Sequence, residues 1–124
     1  LKEVQIMDKK SINNKMVTAV VRFECFLFSP YFNHGEHAGI FCLEAYHPER
    51  AGYITTSNII DIHEIDGVVY VETRNSVYEL DGNKKIRHLE NVKRYLHDEG
   101  YTSAEFYDRC VPNRMPTTRG WEIF

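Results

Sequence analysis

Two runs rich in Val, Ile, Thr and Tyr, joined at Asp66-Gly67, constrain this chain more than any other stretch: residues 53–80, YITTSNIIDIHEIDGVVYVETRNSVYEL. Asp-Gly suits the two-residue type I′ turn, whose central residues both need positive φ. With that turn, Ile65 faces Val68, Ile62 faces Val71, Ile60 faces Thr73, Asn58 faces Asn75 and Thr56 faces Val77. This face is apolar near the turn and becomes amide- and hydroxyl-rich toward the open end. The opposite face pairs Asp61 with Glu72, His63 with Tyr70, Ile59 with Arg74 and Ser57 with Ser76. Like charges directly opposed cost stability, so Asp61 and Glu72 are expected to share a cationic neighbour, Arg74 or His63.

Residues 16–28, MVTAVVRFECFLF, read as the strongest single strand, with apolar residues on both faces at its end. Ser29-Pro30 ends it. The run 40–47, IFCLEAYH, fits either a strand or a short helix by its periodicity; the expectation is a strand because β-rich segments flank it. After Leu80 the pattern changes: Ile86, Leu89, Val92, Tyr95 and Leu96 recur at helical spacing, with Gly100 as a stop. Thr102-Ser103-Ala104-Glu105 has the capping-box pattern, which places a second helix over about 103–110. The tail holds two Pro and cannot be one regular element, although GWEIF could add a last strand. The expectation is a single α+β domain over residues 1–124. An antiparallel sheet around the central hairpin (β-rich 16–80) precedes two C-terminal helices (84–110) and an irregular tail (111–124).

A net charge of −3 argues against bulk binding to a nucleic-acid backbone, so neither DNA nor RNA is an expected partner. No apolar run approaches transmembrane length, and three Cys make no disulfide framework, which points to a reducing cytoplasm. His34 and His37, with Cys42 and His47 nearby, are zinc-ligand types, but their spacing is neither a zincin helix nor a paired Cys knuckle. No metal or cofactor is expected. A Gly-rich phosphate loop, G-x-S-x-G and H-E-x-x-H are all absent from the sequence, so an enzyme reading has nothing specific to stand on.

The C-terminal stretch is more informative. Between Arg109 and Gly120 there are three Arg and no acid: Arg109, Arg114 and Arg119. Arg suits bidentate phosphate recognition and stacking on a base. Asn113 and Trp121 add amide and aromatic partners, and the hairpin offers Arg74, Asn75 and Tyr78. These eight are the candidate ligand-binding residues. The alternative at this point is that the arginines pin an irregular tail to an acidic body.

The strings TTSNIIDI and VETRNSVYEL resemble a hairpin pattern of the phage anti-Thoeris sponge family, which sequesters a cyclic ADP-ribose signal made by a TIR-domain enzyme. The matching positions are Thr55, Ser57, Thr73, Asn75 and Tyr78. The resemblance implies a non-catalytic anti-defence protein in the host cytoplasm that binds a cyclic ADP-ribose-type nucleotide. It also implies a homodimer or higher homo-oligomer, with the pocket between subunits. Two rivals differ in class. One is a protein–protein inhibitor or immunity-type module without a nucleotide ligand. The other is a metal-dependent or thiol enzyme centred on His34, His37 and Cys42.

Arg109 and at least one of Arg114 and Arg119 are expected to contact a ligand phosphate. Replacing a contacting Arg with Ala should weaken nucleotide binding by about one to two orders of magnitude, since a charge-assisted hydrogen bond contributes roughly 1.5–3 kcal/mol. Titration calorimetry beside thermal melts checks this. Unchanged affinity in all three variants places the site elsewhere, and early melting in all three makes the arginines structural.

Overall fold

Two strands of unusual length shape the chain, because neither can stay in one sheet. The computed structural model describes residues 11–29, 40–81, 86, 89–97, 114–117 and 120–124. Its strands are β1 (Ser11–Ile12), β2 (Lys15–Ser29), β3 (Ile40–His47), β4 (Gly52–Ile65), β5 (Val68–Thr73), β6 (Val77–Leu80), β7 (Arg114–Thr117) and β8 (Gly120–Ile123). The helix α1 (Leu89–His97) lies between β6 and β7.

β2 and β4 each change partners halfway along. β2 pairs with β6 through residues 17–21 and with β3 through residues 22–29. β4 pairs with β3 through residues 52–58 and with β5 through residues 59–65. One sheet therefore runs β4–β5–β6–β2 and the other β4–β3–β2–β8–β7, with the long strands common to both. The ladder β2–β3–β4–β5–β6 returns to β2 and closes a barrel; the closing β6–β2 pair is parallel and the other four antiparallel.

Bulges sit where the long strands cross between sheets. In β2 the register shifts between Phe23 and Cys25, leaving Glu24 as the extra residue, and in β4 it shifts between Ile59 and Asp61, leaving Ile60. An extra residue bends the strand and inverts its alternation. Accordingly Ala19, Val21 and Phe23 face the main core before the bulge, and Phe26 and Phe28 face it afterwards. Both apolar faces at the end of β2 are thus used, since Cys25 and Leu27 are buried as well. Phe41, Leu43, Ile59, Ile62, Val71, Leu80 and Ile123 fill the rest of the core. The Phe26 and Phe41 rings meet edge-on, 6.3 Å apart.

A second, small cluster lies on the outer face of the first sheet, where Ile12, Tyr70 and Val77 are buried. Ile12 reaches it because Asn13 and Asn14 both take positive φ and fold β1 back along β2. The helix contributes Val92, fully buried in the main core, with Leu89 and Leu96 packed beside it. No helix among the described residues is long and apolar enough to cross a membrane.

The hairpin turn forms as its sequence dictates, with φ of 52° at Asp66 and 80° at Gly67. The expected register holds from Ile65↔Val68 to Asp61↔Glu72. Beyond it the bulge substitutes Ile59 for Ile60 opposite Thr73, and β4 leaves β5 altogether. The expected pairs Asn58–Asn75, Thr56–Val77, Ile59–Arg74 and Ser57–Ser76 therefore do not form; Asn58 lies opposite Cys42, and Val77 opposite Val17 and Glu72.

The expected α+β class is overturned. Strands dominate the described residues, whose one helix has nine residues, and the fold is a mostly antiparallel β-barrel. The second expected helix, 103–110, lies outside the described residues. The tail is not irregular throughout, because β7 and β8 form an antiparallel pair and β8 adds to β2 opposite residues 26–28. Pro116 is tolerated there because β7 is the outermost strand, where a missing amide breaks no central ladder. GWEIF does supply the last strand.

Gly67→Val isolates the turn. A Cβ there would meet nothing within 4 Å, so only the backbone at φ +80° resists it. The expected cost is about 1–3 kcal/mol, read as a melting temperature lower by several degrees. An unchanged melt contradicts the turn assignment.

Candidate functional site

The register places Asp61 directly opposite Glu72, with His63 opposite Tyr70 on the same outer face of the first sheet. Glu72 is 2% exposed, so its charge needs partners within the protein. Three side chains supply them. Lys15 Nζ donates to Oε2 at 2.7 Å and to the Thr73 carbonyl at 2.8 Å. Asn13 Nδ2 donates to Oε1 at 2.9 Å, and His63 Nε2 lies 2.9 Å from the same oxygen. Burial would raise the Glu72 pKa, but the hydrogen bonds of Lys15, His63 and Asn13, with the Lys15 charge, outweigh it and hold the carboxyl below its ordinary value.

Asp61 is tied into the same cluster. Its Oδ1 accepts the Ile62 amide at 2.8 Å and lies 2.7 Å from His97 Nε2, while Oδ2 is 3.9 Å from His63 Nε2. His63, one of the two expected neighbours, does lie between the pair, while the cation on Glu72 is Lys15. Arg74, the other, does not; it is exposed on the turn between β5 and β6. Lys15, Asn13 and His97 were missed. Asn13-Asn14 is legible as a turn, but the two-residue strand before it gives no periodicity to reveal what that turn would cover.

The outer face of the second sheet carries a different surface. Register aligns Arg22 with Tyr46 and Tyr46 with Tyr53 across three strands. The Arg22 guanidinium carbon lies 4.6 Å from the Tyr46 ring centre, and the two tyrosine rings meet edge-on at 5.2 Å. Tyr53 is 70% exposed. Thr55 follows on the same side of β4 and is exposed; Thr56 and Ser57 then share a bulge opposite Leu43, and Asn58 returns to the outer side opposite Cys42. Arg50 is exposed in the turn that joins the two tyrosine strands. Beside this row Cys25, Glu44 and Glu122 bring a thiol and two carboxylates within 4.8 Å of one another, and Thr55 Oγ1 donates to Glu44 at 3.2 Å.

The sequence-derived ligand residues divide between the sheets. Arg74 and Asn75 are exposed at the tip of the Thr73–Ser76 turn, which Thr73 closes through its amide and hydroxyl on the Ser76 carbonyl. Tyr78 packs against the main core. Arg114 begins β7 and Trp121 lies in β8, so both belong to the second sheet. β6 starts opposite Val17 and β8 lies opposite residues 26–28 of β2, a separation of roughly 30 Å along an extended strand. The structure therefore does not join the Arg74–Asn75 turn to the Arg114–Trp121 strands. Arg109, Asn113 and Arg119 lie outside the described residues, as do His34, His37 and Cys110. Cys42 and His47 sit on opposite faces of β3: His47 is buried toward the core, with its Nδ1 unpaired, while Cys42 alternates with it on the outer face. They cannot ligate one ion together.

Because the Glu72 carboxyl is held low, its stabilising contribution is complete above the ordinary value of 4.5 and is lost as pH falls through the lower folded-state pKa. Glu72→Gln should therefore destabilise the protein by about 3 kcal/mol at pH 7, because it leaves Lys15 without its counter-charge. The gap to the parent should narrow below pH 4.5. Denaturant unfolding in metal-free buffer from pH 7 to pH 3 measures this, and a constant gap refutes it.

Comparison with family models, with curated proteins and with solved structures found no match to the chain.

Proposed function

We propose that the protein binds a small nucleotide without turning it over, and that the Arg22–Tyr46–Tyr53 row is where the base is received. The observation that carries the reading is the exposed row itself: a guanidinium 4.6 Å from one tyrosine ring centre and a second tyrosine, 70% exposed, set edge-on against the first. A large aromatic face left open beside cations suits a planar, anionic ligand, because a base stacks on the ring while Arg meets the phosphate. Arg22 and Arg50 border the row, and Thr55 offers a hydroxyl beside Tyr53.

Thr55 is also one of the positions that resemble the anti-Thoeris sponge pattern, so the resemblance and the exposed row meet on one strand. The ligand class implied is a cyclic ADP-ribose-type nucleotide, and the role is sequestration of an immune signal. Thr73 and Tyr78 are structural by comparison, closing a turn and packing on the core. The rival reading, a surface that covers another protein, draws on the half-exposed Met16, Val20 and Ile60.

Titration calorimetry with cyclic ADP-ribose isomers separates the two, together with recovery of the nucleotide after heating. Sequestration requires saturable binding and release of unchanged nucleotide. Tyr53→Ala should weaken binding about tenfold, given stacking contributions of about 1–3 kcal/mol per base, and should leave the melt within a degree or two. Arg22→Lys should bind about as poorly as Arg22→Ala, because an ammonium lacks the guanidinium plane. Binding by Tyr53→Ala equal to the parent removes the row from the site. No binding of any isomer by the parent favours the protein-covering reading.

A further inference from the structure

The acid–histidine cluster on the first sheet has a ligand chemistry of its own, independent of the nucleotide reading. We propose that Asp61, His63 and Glu72, with His97 joining from α1, form a zinc-binding site.

The first argument is geometric. One atom from each of Asp61, His63 and Glu72 lies within 4.8 Å of the others. His63 Nε2 is 2.9 Å from Glu72 Oε1 and 3.9 Å from Asp61 Oδ2, and His97 Nε2 is 2.7 Å from Asp61 Oδ1. Ligands held tetrahedrally at about 2.0–2.2 Å from zinc sit roughly 3.3–3.6 Å from one another. Small rotations of Asp61, His63 and Glu72 therefore bring three ligands into place, and His97, already beside Asp61, would swing in as the fourth.

The second argument is charge. Two carboxylates face each other across the β4–β5 pair, and Lys15 brings one positive charge. With both imidazoles neutral, as ligation requires, one negative charge is left over at a cluster whose Glu72 is 2% exposed. A dication turns that single negative charge into a single positive one, shared between the two carboxylates.

The third argument is support from neighbouring groups. Lys15 holds Glu72 Oε2, leaving Oε1 turned toward His63, while Asn13 steadies Oε1 and the Ile62 amide anchors Asp61 Oδ1. Such outer hydrogen bonds orient metal ligands. Asp61, His63 and Glu72 also stand on adjacent paired strands whose register is pinned by a two-residue turn. Two imidazoles among the donors select zinc over calcium or magnesium, which take oxygen ligands.

The test uses chelator-treated full-length protein and ZnCl2 in calorimetry and thermal melts. One ion per chain should bind, and zinc at a hundredfold excess over Kd should raise the melting temperature by about 5–10 °C. His63→Gln should lose about 100-fold or more in affinity, and His97→Gln about tenfold. Cys25→Ser and the double variant His34→Gln/His37→Gln should bind like the parent. Co2+ should give a visible spectrum without a thiolate charge-transfer band. If His63→Gln melts early, the exposed His97→Gln decides the matter. Parent-like affinity in the variant that decides, no zinc-dependent shift in the parent, or a thiolate band with Co2+ overturns the site.

Discussion

Both long strands change, partway along, which of their side chains point inward, and the rest of this structure depends on that inversion. In β2 the change is made by a single extra residue, Glu24, so that Phe23 and Phe26 both reach the core although their spacing is wrong for one regular strand. In β4, Ile60 does the same between Ile59 and Ile62. Without the two inversions, either the aromatic end of β2 or the apolar end of β4 would face water. Burial of large side chains is worth about 1.5–3 kcal/mol each, and Phe26, Phe28 and Ile62 are almost completely buried. Placing the extra residues at the corners is therefore strongly favoured.

The same inversions set out the two outer surfaces. On the first sheet, Asp61 falls on the outer side immediately after the bulge, opposite Glu72, and the β1–β2 turn brings Asn13 and Lys15 over that pair. On the second sheet, Arg22 lies just before the β2 bulge and Cys25 just after it, and both point outward. The Arg22–Tyr46–Tyr53 row and the Cys25–Glu44–Glu122 group are therefore neighbours on one face. Another bulge, between β3 and β4, exposes the Leu43 amide, and the Thr56 hydroxyl accepts it at 3.0 Å. Thr56 belongs to the TTSN segment that carried the resemblance, and here its work is done within the fold.

How much of this was legible follows from range. The Asp-Gly turn and the pairing out to Asp61–Glu72 are set by local chemistry, and the sequence shows them; the strand at 40–47 was readable only from its β-rich flanks, since its own periodicity fits a helix as well. The opposed carboxylates were visible for the same reason, as was the need for a nearby cation. Lys15 was not, because it reaches Glu72 from 57 positions away through a turn whose destination depends on the whole sheet. The partner exchange of β4 left no mark in residues 53–65, since a bulge looks like ordinary alternation until a second strand is set beside it. The helical class was overweighted for a related reason. Capping and periodicity report local preference, whereas the pairing of GWEIF with β2 is a tertiary event. The tyrosine row escaped notice because Arg22, Tyr46 and Tyr53 become neighbours only through two registers.

The central claim is that Glu24 is the surplus residue that lets β2 serve two sheets. Deleting Glu24 alone and following thermal unfolding by near-ultraviolet circular dichroism tests it most directly. With it gone, Phe23, Cys25, Phe26, Leu27 and Phe28 alternate as one regular strand, so Phe23, Phe26 and Phe28 still face the core, and Phe23 stays opposite Ala45 and Cys25 opposite Glu44. A cooperative transition, with a melting temperature lower by no more than several degrees for the lost bend, is the expected result. Loss of the cooperative transition, or a melting temperature lower by tens of degrees, would show that Glu24 is needed for the phase of the strand and is not a surplus residue.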